Sequence, residues 1–256
     1  MRGITGGDPS FGADDGSADP AVSLALAAYA TADGSEHDAL AALAASRLLV
    51  PVVAVLSDEA LAAAPRNSAD MVDTASTADM ADTTGRAEKA EKASEMALPT
   101  LIGLDGRRAI PAFTCVQAMQ RWRPDARPVP AAALQVWQAA VDDSCAVVID
   151  VGGPVPLAVE GARLAALARG EGPPVPWADP DVRDAVAAVL AGQLEVAAFE
   201  LRPADADHDL GIALNLAPDA PVTDVTGFAA QIAGAVLDRL GGRLRRGVAI
   251  WLGSGR

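Results

Sequence analysis

Cys115, in the stretch IPAFTCVQAMQRWRP from Ile110 to Pro124, is the residue of this 256-residue chain whose setting best suits a nucleophile. The spacing predicts a helix that opens here, with Thr114 as its cap and Gln117 three residues later completing a T-x-x-Q capping box. A cysteine at the first helical position would face unpaired backbone N–H groups and the positive end of the helix dipole, both of which favour a thiolate. A nucleophile also needs a base that is itself oriented. Neither His37 nor His208 is near Cys115 in sequence, and both are read as lying in polar loops. Capping and packing therefore explain Cys115 better than catalysis, and no catalytic residue is assigned.

Two other stretches invite an ion. ADADHDLG, Ala204 to Gly211, gathers Asp205, Asp207, His208 and Asp209, but it lacks the calcium-loop pattern and falls between two expected strands, where Asp is ordinary turn chemistry. GGRLRRG, Gly241 to Gly247, is basic and glycine-rich, yet it follows a helix and precedes a strand. That order is the reverse of a phosphate loop, so the run reads as a C-cap turn. No cofactor or metal site is assigned.

Arg107, Arg108, Arg121, Arg123 and Arg127 form a local basic cluster, with Trp122 among them. Trp and Arg are enriched at interface hot spots, so Arg121, Trp122 and Arg123 are taken as a candidate surface for a protein partner. The rest of the chain is acidic: the formal net charge is −14, and residues 1–97 carry sixteen acids against six bases. That balance opposes phosphate-backbone binding, so nucleic acid is not expected as a partner. No apolar run is long enough to cross a membrane, and the two cysteines, Cys115 and Cys145, match no metal spacing. A cytoplasmic protein with free thiols is expected.

The elements that must position these residues fall into two units. Residues 1–18 are expected to be a flexible arm. Asp19 and Pro20 cap a first helix, and Ser35 to Asp38 resembles a capping box opening a second. RLLVPVVAVL, Arg47 to Leu56, reads as a strand that Pro51 assigns to an edge or a bulge. Residues 57–97 lack periodicity and are read as a disordered insertion. A hairpin turns at Asp105-Gly106, a helix runs from Thr114 to about Trp122, and another spans Ala131 to Val141. Strands at CAVVIDVG and PVPLAV and a helix from Glu160 to Arg169 complete residues 19–170.

GEGPPVPWADP supplies a stiff connector at 171–179. Residues 180–256 then follow an αββαβ order, in which the second helix, Val225 to Leu240, has apolar residues recurring at three and four and the strand Val248 to Leu252 comes last. The fold class is α+β: a mixed sheet with flanking helices in the N-terminal domain and a smaller C-terminal domain.

DDGSADP at Asp14 to Pro20, RLLVPVVAV at Arg47 to Val55, PAFTCVQAMQRWRPDARPVP at Pro111 to Pro130, and VIDVGGPVPLAV at Val148 to Val159 together resemble the actinobacterial branch of the SseB-like proteins, named for enhanced serine sensitivity. The resemblance implies an α+β N-terminal domain in a cytosolic bacterial protein, a C-terminal domain like that of longer members, and no established activity, cofactor or catalytic residue. Similar members usually carry Phe-Thr-Ser where this chain has Phe113-Thr114-Cys115. The expected function is a non-enzymatic protein-binding or regulatory module with an unknown protein partner. The alternatives are a small-molecule binding protein or enzyme linked to serine or amino-acid metabolism, and a homo-oligomer built through the strand Arg47 to Leu56.

Overall fold

A computed structural model describes residues 11–56, 94–218, 220 and 222–254. Residues 57–93 of the expected insertion, and residues 1–10 of the expected arm, lie outside the described residues. The rest of the arm is held in place. Arg47 pairs with Asp14 at 2.5 Å, and its guanidinium donates to the Ser17 carbonyl.

Local chemistry starts the first two helices where the sequence predicts. Asp19 accepts from the Ala21 and Val22 N–H groups at the start of α1 (Pro20–Ala30). Ser35 and Asp38 cap α2 (Glu36–Ala44) reciprocally. His37 therefore lies in the first turn of α2, not in a loop.

The next strand, β1 (Arg47–Leu56), is not at an edge. Its first half runs antiparallel to β5 (Arg127–Ala132) and its end runs antiparallel to β2 (Ser94–Ala97). The last four residues of the expected insertion are thus a strand. Pro51 is accommodated by position. Leu49 N–H donates to the Phe113 carbonyl and Phe113 N–H donates back to Leu49, so Leu49 and, two residues on, Pro51 point their nitrogens to the same side. On that side Pro51 falls between Phe113 and the first β2 pair at Val53, where no ladder donor is needed.

β5 was not expected, because RPVPAA reads as a string of breakers. Its register pairs Pro128 with Pro51 and Pro130 with Leu49. The same alternation turns the Pro128 and Pro130 nitrogens away from β1, toward the outer edge, which leaves that edge short of donors for a further strand. Self-pairing through an open edge of β1 is therefore overturned.

A second sheet has the order β3 (Leu101–Ile102), β4 (Arg108–Ala112), β6 (Ala146–Ile149), β7 (Leu157–Val159). β3 and β4 form the predicted hairpin, although Gly103 N–H bonds to the Arg107 carbonyl and the turn is longer than two residues. β4 and β6 are parallel, and the crossover between them contains α3 (Val116–Trp122), β5 and α4 (Ala133–Asp142). α5 (Gly161–Ala168) follows β7. The Leu49–Phe113 bridge joins the two sheets.

Alternation along β1 divides the core. Leu48 and Val50 pack with Leu40, Leu43, Trp137, Val147, Ile149 and Leu167 under the helices α2, α4 and α5. Leu49 and Val53 face the other way, against Phe113 and, on α3, Ala118 and Met119.

The connector is less extended than expected, since Pro176–Ala178 forms a single 3-10 turn and Trp177 packs on the C-terminal core. Beyond it α6 (Pro180–Leu190), β8 (Val196–Arg202), β9 (Leu210–Leu216), α7 (Val225–Leu240) and β10 (Val248–Ser254) reproduce the predicted αββαβ order. β9 is the central strand, antiparallel to β8 and parallel to β10. Val182, Val186, Ile232 and Val236 bury the helices against Ile212 and Leu214. The fold class is α+β, as the sequence predicts.

Leu49 is 1% exposed and sits where the sheets join. Leu49→Ala is expected to cost about 2–5 kcal/mol in chemical denaturation, the range for deleting a packed leucine side chain. A loss below about 1 kcal/mol would show that the seam repacks freely.

Candidate functional site

The four stretches that carry the family resemblance converge on α3. Gly16 in the first accepts from Val116 N–H at 2.9 Å. Arg47 in the second donates to the Thr114 carbonyl at 2.9 Å. Phe113 in the third pairs with Leu49, and its ring meets that of Trp122 at 5.4 Å between centroids. The fourth supplies Asp150, whose carboxylate accepts from Thr114 N–H at 2.9 Å and from the Thr114 hydroxyl at 2.7 Å. Sequence distance hides this arrangement, and together these contacts fix the start and the end of α3.

The cap itself differs from the prediction. Cys115, not Thr114, is the N-cap of α3, and its Sγ accepts from Ala118 N–H at 3.4 Å. Thr114 instead turns its hydroxyl to Asp150, so the T-x-x-Q box does not form. Cys115 is half-buried with its thiol engaged in the cap. Neither histidine is among its hydrogen-bond partners. Cys145 is also a free thiol, buried beside the Asp143 carbonyl.

Asp150 is the feature that reading by type and spacing missed. It follows β6 with φ +49°, the left-handed region that Asp and Asn tolerate better than other side-chain-bearing residues. Burial pushes its carboxyl above the ordinary value, and the two hydrogen bonds from Thr114 oppose that rise. Two residues on, Gly152 lies so close to Trp122 that an added Cβ would fall 2.9 Å from the Trp122 backbone nitrogen. The turn VIDVGG thus holds both ends of α3, through Asp150 at one and Gly152 at the other.

The basic cluster is divided by the fold. Arg107 and Arg108 stand at the N-terminal end of β4, where Arg107 pairs with Asp105 at 2.6 Å and Glu160 at 2.5 Å. Arg121 and Arg123 are exposed at the far end of α3, with Arg127 exposed nearby at the start of β5. Trp122 between them is half-buried against Phe113, and Arg123 pairs with Asp125 at 3.0 Å.

Both polar runs are used in structure. Asp209 is buried and binds Arg246 at 2.8 Å, while Asp205 pairs with His208 at 2.7 Å. Among the described residues no cluster of His, Cys, Asp and Glu suits a metal ion. Gly241 takes the left-handed conformation that ends α7, as the C-cap reading predicts. What the sequence did not reveal is the destination of the arginines beyond it. Arg243 bonds to Glu36 at 3.1 Å and to Asp179 at 2.5 Å, and Glu36 also pairs with Arg163. Arg245 stacks over the Tyr29 ring at 4.6 Å, and the Tyr29 hydroxyl donates to the Gly242 carbonyl. Asp181 accepts from Ala162 N–H at 2.8 Å, so the C-terminal domain caps α5 of the N-terminal one. Gly161 permits that approach, with φ +61° and an added Cβ only 2.2 Å from the Asp181 carboxylate.

Beside this interface lies an open cleft of about 480 Å³ lined by six ionisable side chains: Glu160, Arg163, Asp181, Asp184, Arg239 and Arg243. Its volume is in the range of small-molecule sites.

Residues 22–166 match the family model described as the SseB protein N-terminal domain. No curated protein and no solved structure matches the chain. The matched span contains α3 and Asp150 and stops short of the connector. Among the described residues no helix is long and apolar enough to cross a membrane.

Asp150 gives the corner a pH signature. Because its folded value is raised, the native state holds the proton longer than the unfolded chain. Its contribution is therefore fully present below the unfolded value, near 3.8, and declines as pH rises through the raised folded value. In Asp150→Asn the amide oxygen accepts from Thr114 N–H and the amide NH₂ donates to the Thr114 hydroxyl, so this decline is expected to disappear while the fold is kept. Asp150→Ala strands both Thr114 donors and should cost about 1–3 kcal/mol. Chemical denaturation between about pH 4 and pH 7 checks both, and an unchanged pH slope in Asp150→Asn would refute the assignment.

Proposed function

Because the chain belongs to the SseB family, we propose that it is a non-enzymatic protein-binding or regulatory module of the family's actinobacterial branch, working in the cytoplasm with its αββαβ unit as the family's C-terminal domain. Its contact surface is the exposed end of α3. The observation that carries this reading is the immobilisation of α3 by Asp150, Gly152 and Phe113, which gives Arg121 and Arg123 a rigid base. Side chains presented from a fixed base lose less entropy on binding than side chains on a mobile loop.

The charge of the surface indicates what it takes. Arg121, Arg123 and Arg127 are exposed together on a chain of net charge −14. Such a local reversal of sign suits an acidic protein segment and steers its approach. The anionic balance of the whole chain disfavours nucleic acid, whose charge extends well beyond the reach of three arginines. Trp122 anchors the surface from beneath through Phe113, so its removal would loosen the base as well as the contact.

For that reason the test reverses charge and leaves the tryptophan. The Arg121→Glu/Arg123→Glu protein is expected to unfold with the wild type in denaturant and to lose a partner that the wild type captures by cross-linking in a lysate. Affinity for that partner, measured with the purified pair, should fall roughly tenfold or more and should weaken with salt. Capture and affinity unchanged by the double reversal would remove this surface from consideration.

A further inference from the structure

The interdomain cleft contains charged groups that the fold does not use. Of its six ionisable side chains, Arg243 is matched by Glu36 and Asp179, Glu160 by Arg107, and Asp181 by the N-terminus of α5. Arg163 is only partly matched. It is 4% exposed, one of its terminal nitrogens meets Glu36, and its Nε–H is buried with no acceptor among the described residues. A buried donor left without an acceptor is costly, which marks Arg163 as the lining residue whose hydrogen bonding is incomplete. Arg239 on α7 and Asp184 on α6 are exposed at the same cleft, and neither has a hydrogen-bond or ion-pair partner among the described residues.

We propose that this cleft is a binding site for a small zwitterion, with the ligand's carboxylate held by Arg163 and Arg239 and its ammonium by Asp184. The balance of charge selects this class. The lining is three cations and three anions, and the partners just behind it, Glu36 and Asp179, are both acidic. A simple anion would meet Asp181, Asp184 and Glu160 around it, and a simple cation would leave Arg163 and Arg239 unanswered. A molecule with one charge of each sign answers the unused guanidinium and the unused carboxylate together and adds no net charge. It would also bridge α6 and α7 at the place where the two domains meet.

The test uses a homologous series in which only the charge separation varies: glycine, β-alanine, γ-aminobutyrate and 6-aminohexanoate, with propionate and propylamine as single-charge controls. Binding to the full chain is read by calorimetric titration and by the rise in Tm at saturation. At least one zwitterion of the series is expected to bind saturably, with the controls at least tenfold weaker. Arg239→Ala and Asp184→Ala alter exposed side chains, so both proteins should fold, and each should weaken that ligand roughly tenfold or more. No binding by any member of the series, equal binding of propionate or propylamine, or affinity unaltered in both variants would overturn the proposal. Because α3 is not part of the cleft, Arg121→Glu/Arg123→Glu should bind the zwitterion as the wild type does, which keeps this test separate from that of the protein-binding surface.

Discussion

The two domains depend on a chain of buried charge that neither can complete alone. Glu36, in the first turn of α2, lies between Arg163 of α5 and Arg243 from the turn after α7, and Arg243 continues to Asp179 at the cap of α6. Glu36, Arg163 and Asp179 are 7%, 4% and 1% exposed, so their charges are matched by one another and by Arg243 rather than by water. Such a network adds little net stability compared with an apolar interface, yet removing one member is severe, because the remaining charges are then buried and unmatched. Its effect is to define one docking of the domains and to penalise others. The Asp181 cap on α5 and the Arg245–Tyr29 stack follow from that docking, and so does the cleft.

A second constraint governs the N-terminal domain. Asp150 accepts a left-handed backbone and a costly burial in order to satisfy Thr114, and the same turn brings Gly152 beneath Trp122. The distinctive residues of the sequence are therefore spent on fixing one short helix. A seven-residue helix does not persist by its own propensity in water, so its position has to come from such contacts. The rigidity of α3 and the exposure of the arginines at its end have this single cause.

What the sequence made legible follows the range of the forces involved. Asp19, Ser35 and Asp38 are caps that act within three residues, and each is found in its predicted role. The predicted helix over Val225 to Leu240 has the observed bounds, because its apolar residues mark one face at a 3.6 period. β5 was hidden, since Pro128 and Pro130 read as breakers until β1 supplies the register that turns them outward. Thr114 reads as a cap in the sequence because its actual partner, Asp150, lies 36 residues away. The charge chain was least visible of all: Glu36 and Arg243 are 207 residues apart. Glu36 alone resembles any acid at a helix start, and Arg243 resembles solvated charge in a glycine turn. Only the fold reveals that each is the other's partner.

The direct test of this account is calorimetric unfolding of the wild type beside Arg243→Ala at neutral pH. If the charge chain unites the domains, the wild type unfolds in one transition. The variant, with the buried Glu36 and Asp179 losing their shared partner, should be destabilised by about 3–5 kcal/mol and should separate into two transitions. Two transitions already present in the wild type, or a variant that melts as one unit at the wild-type Tm, would contradict the claim that the domains depend on this network.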